Sequence, residues 1–224
     1  TEEICVAEFF DNFLKPTPTV VTMWVIMAVL VLFSILATRK MKDKPGVLQN
    51  IAEMAVSKLF GFIEGVLGTE RTKKYFPVFA TFFILIVVCN YSGLLPGAGE
   101  LFTVPTSMLA VTAALAIIGF FTIHTTGIRT KGLKGYLLSF LKPVALLLPI
   151  TLLEQFIRPM SLALRLYGNI YGEEKVTETF YGLVPILLPI VMNVLSLLFC
   201  LIQAMIFTML LAVFVAEATE TEEE

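Results

Sequence analysis

Ser161-Leu162-Ala163-Leu164-Arg165-Leu166-Tyr167-Gly168-Asn169 decides how this chain is read. The stretch lies inside an apolar tract spanning 143–172. A guanidinium stays charged at any ordinary pH. At the centre of a membrane helix it costs about 2.5–3.5 kcal/mol on insertion scales. The positions one helical turn away hold Ser161, Leu162, Gly168 and Asn169, so no acid there neutralises Arg165. A charge kept at that cost is expected to serve function.

Composition sets the class. The chain is 57% hydrophobic and only 15% charged, against about 25% charged in soluble domains. That predicts an all-α integral membrane protein forming a single membrane domain. The net charge of −2 gives no reason to expect nucleic acid as a partner. Cys5, Cys89 and Cys200 are odd in number and far apart, so no disulfide framework is expected. His124 is the only histidine, no Cys/His cluster suggests a metal, and no Gly-rich loop suggests a phosphate. The expectation is no metal, no cofactor and no nucleotide site on this chain. The acidic start Thr1-Glu2-Glu3 lacks the basic opening of a signal peptide.

A hydrocarbon core of about 30 Å needs about 20 apolar residues per helix. Five tracts are read as membrane-crossing helices, at 20–37, 75–91, 105–125, 143–172 and 180–216. The last would run roughly 55 Å as one helix, and surplus length is taken up by tilt or kink. With 173–179 read as a short polar link, residues 143–216 are expected to form a long, strongly tilted hairpin. Pro185 and Pro189 would bend its second arm. Between the first two spans, Ile51, Met54, Ala55, Leu59, Phe62, Ile63 and Val66 recur at helical spacing. Residues 47–68 therefore read as an amphipathic interfacial helix, or alternatively as a short helix packed on protein.

Lys and Arg set the orientation. Arg39, Lys40, Lys42 and Lys44 follow the first span, and Arg129, Lys131, Lys134 and Lys142 follow the third. The intervening segment 92–104 has neither. The positive-inside rule then puts segment 1–18 outside and the acidic tail 217–224 in the cytoplasm.

Two polar stripes mark the hairpin. At 100° per residue, Glu154, Arg158, Ser161, Arg165, Asn169 and Gly172 share one face of its first arm. Glu154 and Arg158 also stand as an i,i+4 pair. Glu174 lies about 180° from Arg165 and roughly 13 Å farther along. The second arm carries Asn193, Ser196, Cys200 and Gln203 at spacings of three, four and three. Intramembrane amides need partners. Antiparallel arms could bring Gln203 level with Arg165, and Asn193 or Ser196 level with Glu174.

At these residues the chain resembles subunit a of the F-type rotary ATP synthase, in its bacterial form. The Arg165 stretch with Gly172-Glu173-Glu174 is similar to one motif of that family. Gln203-Ala204-Met205-Ile206-Phe207-Thr208-Met209-Leu210 is similar to a second, and Asn90-Tyr91-Ser92-Gly93-Leu94-Leu95-Pro96 to a third. The resemblance implies a multi-pass subunit of the bacterial plasma (inner) membrane. Its partners would be the rotor ring of c subunits, the b-subunit peripheral stalk and, indirectly, the F1 sector. It implies that Arg165 faces the rotor carboxylate and that Asn169 and Gln203 are its polar neighbours. It implies that Glu174 lines the half-channel open to the outside; Glu154, at the opposite end of the same arm, is placed by geometry on the route to the cytoplasm, and Asn193, Ser196 and Ser161 are read as further ion-pathway residues. The ion would be H+ or Na+. Relatives often carry a histidine seven residues before the glutamine, where this chain has Ser196. Some carry an acid where this chain has Gly93. The rival reading is a secondary ion transporter or channel with an intramembrane arginine, and a third is a scaffold. The absence of internal repeats counts against the transporter.

Overall fold

The computed structural model describes residues 17–39, 46–94, 103–140, 148–183 and 187–220. These residues are almost entirely helical, in six helices. The segment 1–16, the basic residues 40–45, Lys142 and the tail 221–224 lie outside the described residues.

α1 spans Pro18–Thr38. Proline at its first position pre-sets the helical φ where no N–H is needed. Its buried residues are Thr19, Thr22 and Ile26, while Trp24, Val29, Leu32 and Leu36 are exposed. A helix apolar all round belongs in lipid or against other protein. Near its start, Thr19 Oγ1 lies 2.9 Å from Met108 Sδ and accepts a hydrogen bond from Thr103 at 3.2 Å.

α2 (Val47–Leu67) and α3 (Thr69–Tyr91) meet at Gly68, whose φ of 75° turns the chain sharply without a Cβ clash. Residues Leu59, Ile63 and Leu67 of α2 are buried, whereas Val47, Ile51 and Met54 are exposed. The second half of the amphipathic helix is thus packed on protein, and the first half leaves these apolar side chains exposed.

α4 spans Leu109–Ser139 and bends at Gly132, with φ 74° and ψ 159°. It outruns the expected span of 105–125, carrying Arg129 and Lys131 on helix and Lys134 beyond the bend. The bend folds Tyr136 back onto Gly127, where a Cβ would come within 2.5 Å of the ring.

α5 spans Leu148–Leu183 and α6 spans Leu187–Thr219. This corrects the expected hairpin boundaries. Residues 173–179 are not a link but continue the helix, from about one to nearly three turns past Asn169. Glu and Lys are good helix formers, Lys175 pairs with Glu178 at 2.7 Å, and Thr179 Oγ1 donates to the Lys175 carbonyl. Phe180 and its successors belong to the first arm. Pro185 falls in 184–186, outside the described residues, and Pro189 stands in the first turn of α6, where proline is tolerated. Glu217 likewise belongs to α6, not to a tail.

Among the described residues four helices are long and apolar enough to cross a membrane: Pro18–Thr38, Thr69–Leu94, Leu109–Ser139 and Val191–Thr219. α5 is not among them, because Glu154, Arg158, Arg165, Glu173 and Glu174 interrupt it. α6 packs against α2, α3, α4 and α5 and is the centre of the bundle. Its Ala204, Phe207 and Leu211 are fully buried beside Phe79, Ile86 and Leu166, with Phe82 stacked on Phe207 at 5.9 Å. Between helices in lipid the drive is close packing, not escape from water. Small residues serve it: a Cβ on Gly119 would sit 3.3 Å from Leu211.

Candidate functional site

Two contacts fix how the arms lie. At one end Arg158 Nη1 and Nη2 donate to Glu217 Oε2 and Oε1 at 2.7 and 2.9 Å, and Nη2 reaches Glu154 at 3.5 Å. The guanidinium carbon lies 4.8 Å from the Phe214 ring centre. At the other end Glu173 Oε2 lies 4.0 Å from Cys200 Sγ. Fifteen residues up α5 thus match seventeen back along α6, so the arms run antiparallel nearly in step. To within a turn, Arg165 comes level with Met209. Gln203 then sits about 9 Å beyond Arg165 toward the Glu173 end, not level with it as the hairpin reading expected. Glu174 comes level with about Phe199, one turn from Ser196.

Arg165 is exposed on α5 and has no ion pair or hydrogen bond with any described residue. Ser161, Leu164 and Gly168 are exposed beside it. At Gly168 and Gly172 an added Cβ would meet nothing within 4 Å. The face around the arginine is open and low in relief. Phe156 and Met160 extend the exposed surface of this arm, and Val194 and Leu198 that of the other. Ala163, though small, is buried and takes no part in the open face.

The polar residues of α6 divide. Ser196, Cys200 and Gln203 are buried, and Asn193 is exposed. Opposite Cys200, Asn90 of α3 is 2% exposed and donates to the Cys200 carbonyl at 3.4 Å. Tyr91 Oη donates to the Leu197 carbonyl at 3.1 Å. Three buried amide atoms have no hydrogen-bond partner among the described residues: Asn90 Oδ1, Asn169 Nδ2 and Gln203 Nε2. Buried polar atoms left unmatched are normally met by ordered water. Glu174 is exposed and Glu173 half-buried.

The predicted residues therefore fall into separate places. Arg165 and Ser161 share an open face, Ser196 and Gln203 an interior stripe, and Glu154 joins a charged clasp at the other end. Glu217, Glu173, Asn90 and Cys200 complete these groups and were not singled out as site residues by sequence. Glu217 follows Gln203 by fourteen residues, within about 40° of its azimuth, which was the available signal. Among the described residues no three His, Cys, Asp or Glu side chains gather as metal ligands would.

The family described as ATP synthase A chain matches residues 20–216. The chain is similar to "ATP synthase subunit a" of Moorella thermoacetica, 38% identical over 91% of this chain and 92% of the relative. It is 40% identical to "ATP synthase subunit a 2" of Bradyrhizobium sp., covering 90% and 88%. It is 36% identical to "ATP synthase subunit a" of Geotalea daltonii, covering 95% of each.

Proposed function

This chain belongs to the ATP synthase A chain family and serves in the Fo sector of that synthase, and we propose that it is the stator surface against which the rotor turns. Membership decides for the synthase over a lone transporter or channel. Arg165 faces the c-subunit ring, and two offset half-channels lead to it from opposite sides of a bacterial inner membrane. All of α1, α3, α4, α5 and α6 cross the bilayer, α2 lies at the interface, and the C-terminus is cytoplasmic. The b-subunit stalk holds the chain, and F1 is coupled to it indirectly.

The observation that carries this reading is Arg165, exposed on an open face and unpaired among the described residues. Facing lipid, a rotor carboxylate must be neutral, by proton or by bound cation. Beside a guanidinium its ionised form is favoured, so the ion leaves there. The same positive charge repels a cation that would slip directly between the half-channels. Each elementary charge crossing the potential supplies about 2.3 kcal/mol per 100 mV, which drives the step. Asn193, Ser196, Gln203, Asn169 and Glu174 line the outer route, and Glu154 and Ser161 the cytoplasmic one.

Arg165→Ala is expected to abolish ATP-driven pumping of H+ or Na+ in inverted vesicles while the complex stays assembled. Arg165→Lys is expected to fail as well, since an ammonium lacks the planar fork and can lose its proton. Normal pumping by either variant would overturn the reading.

A further inference from the structure

Arg165, Asn169 and Glu173 are each four residues apart. On a helix that spacing makes a ladder climbing about 6 Å and turning about 40° per step. It starts at the open face, passes the half-buried Asn169 and ends on the buried face. Glu173 lies within about 20° of the azimuths of Leu162 and Leu166, which are 3% and 0% exposed. Glu174, one residue on, turns about 100° further around the helix and is exposed.

At the top of the ladder Glu173 meets the interior stripe of α6 through Cys200 at 4.0 Å. The carbonyl of that cysteine holds the amide of Asn90, whose own oxygen is unpartnered at 2% exposure. Asn169 Nδ2 and Gln203 Nε2 likewise have no partner among the described residues. The three unmatched atoms lie on Asn169, one turn before Glu173, on Gln203, one turn past Cys200, and on Asn90, bonded to the Cys200 carbonyl; they mark a wet or ion-bearing interior, because a dry one would leave each uncompensated. Cys200 of α6 faces Glu173 at 4.0 Å, Asn90 and Tyr91 of α3 donate to the α6 carbonyls of Cys200 and Leu197, and Glu174 and Lys175 adjoin Glu173 on α5. Lys175 is engaged by Glu178 at 2.7 Å. Among the described residues no cation pairs with Glu173.

We propose that Glu173 is the carboxylate that hands ions between the outer half-channel and the Arg165 face, through Asn169. This rests on the two-half-channel reading and names its inner station. An ion from the outer water binds the ionised carboxylate, giving a neutral acid or a carboxylate–cation pair. Transfer to an ionised rotor carboxylate returns Glu173 to its charged form. One ion moves, and nothing is oxidised or reduced. Glu174, on the exposed side, is the earlier contact on that route.

The test uses the assembled synthase in membrane vesicles stripped of F1. Passive conduction is read with a pH-sensitive dye for H+ and a sodium tracer for Na+, and the ion the native complex conducts is followed. E173Q is expected to lower conduction by about a hundredfold, as loss of a positioned proton carrier does, and by more than E174Q does. E173D keeps a carboxylate and is expected to conduct, with the acid limb of its pH profile displaced. A purely structural role would leave that limb unmoved. Native-level conduction by E173Q, or an E173D that conducts with the native pH profile, overturns the assignment. If E173Q does not assemble, the E173D profile decides. R165A, assayed in vesicles that retain F1, separates the two readings: should it still pump on ATP, the half-channel reading itself falls. Should R165A fail while E173Q behaves as native, only the Glu173 assignment falls.

Discussion

Removing Glu217 tests how the two hairpin arms are held together. Arg158 is mostly buried, with 21% of its side chain exposed, and Glu217 is half-exposed at 55%. Fully exposed ion pairs contribute about 0.2–1 kcal/mol in double-mutant cycles. Stripping the partner from a buried charge costs about 3–5 kcal/mol. This pair sits between those limits and is bidentate, which favours the upper part of the exposed range or beyond. We expect a coupling energy between Arg158 and Glu217 of about 1–2 kcal/mol. Glu154 meets the same guanidinium at a single distance of 3.5 Å and is 54% exposed. As an i,i+4 pair on one helix it is expected to couple by only about 0.3–0.5 kcal/mol. The cycle comprises Arg158→Ala, Glu217→Ala and the double variant, with Glu154→Ala beside it. Reversible unfolding in mixed micelles by a denaturing detergent supplies the free energies. Exchanging the charges, Arg158→Glu with Glu217→Arg, should recover part of the loss. Equal costs for Glu154→Ala and Glu217→Ala would refute the reasoning, because the structure assigns them different geometry around one cation.

Other outcomes follow from single positions. Gly127→Ala puts a methyl within 2.5 Å of the Tyr136 ring and 3.3 Å of Ala218, and is expected to destabilise by about 1–3 kcal/mol; trimming Tyr136 to Ala in the same chain should remove most of the added strain, read by the same unfolding assay. Gly68→Ala forces a residue with a Cβ to φ 75° and is expected to cost about 1–2 kcal/mol and to loosen α2 from the bundle, seen as faster proteolysis before Thr69. With Cys5, Cys89 and Cys200 replaced, cysteine at 174 should react with a membrane-impermeant thiol reagent from outside and cysteine at 154 from the cytoplasm; labelling of both from the same side would defeat the half-channel assignment.

Much of the fold was legible because the bilayer imposes simple requirements. Every backbone group must be satisfied within its own segment, so apolar tracts of sufficient length become helices. The tracts at 20–37 and 75–91 sit inside α1 and α3 for that reason. Boundaries were less legible where polarity and helix propensity disagree. The run Glu173-Glu174-Lys175-Val176-Thr177-Glu178-Thr179 is polar enough to suggest a loop. It is also built from residues that sustain a helix, and its i,i+3 ion pair and threonine back-bond use the helical register. The same conflict extends α4 through Arg129 and Lys131 to its bend at Gly132. Polarity reports what surrounds a segment; it does not report where the helix stops.

The site divides along the same line. Periodicity placed Arg165, Ser161 and Asn169 near one another because one helix carries all three, and the open face around Arg165 needed only the adjoining glycines. What periodicity cannot supply is the register between two helices. Without a contact to anchor the second arm, the spacing allows Gln203 to lie level with Arg165. The Arg158–Glu217 and Glu173–Cys200 contacts instead place it about 9 Å away along the arm. Register also decides between neighbouring acids. From sequence, Glu173 and Glu174 differ only by 100° of rotation, and either could face the interior. The structure turns Glu173 toward Cys200 and leaves Glu174 exposed. The buried face of α5 is set by Leu162, Leu166 and Ile170 packing into the bundle. An apolar packing choice therefore selects which carboxylate meets the interior stripe. A substitution that turned that face, such as a charge at Leu166, should impair ion conduction without touching any polar group on the route. Native conduction by an assembled Leu166→Asp variant would show that rotation of α5 does not govern the site.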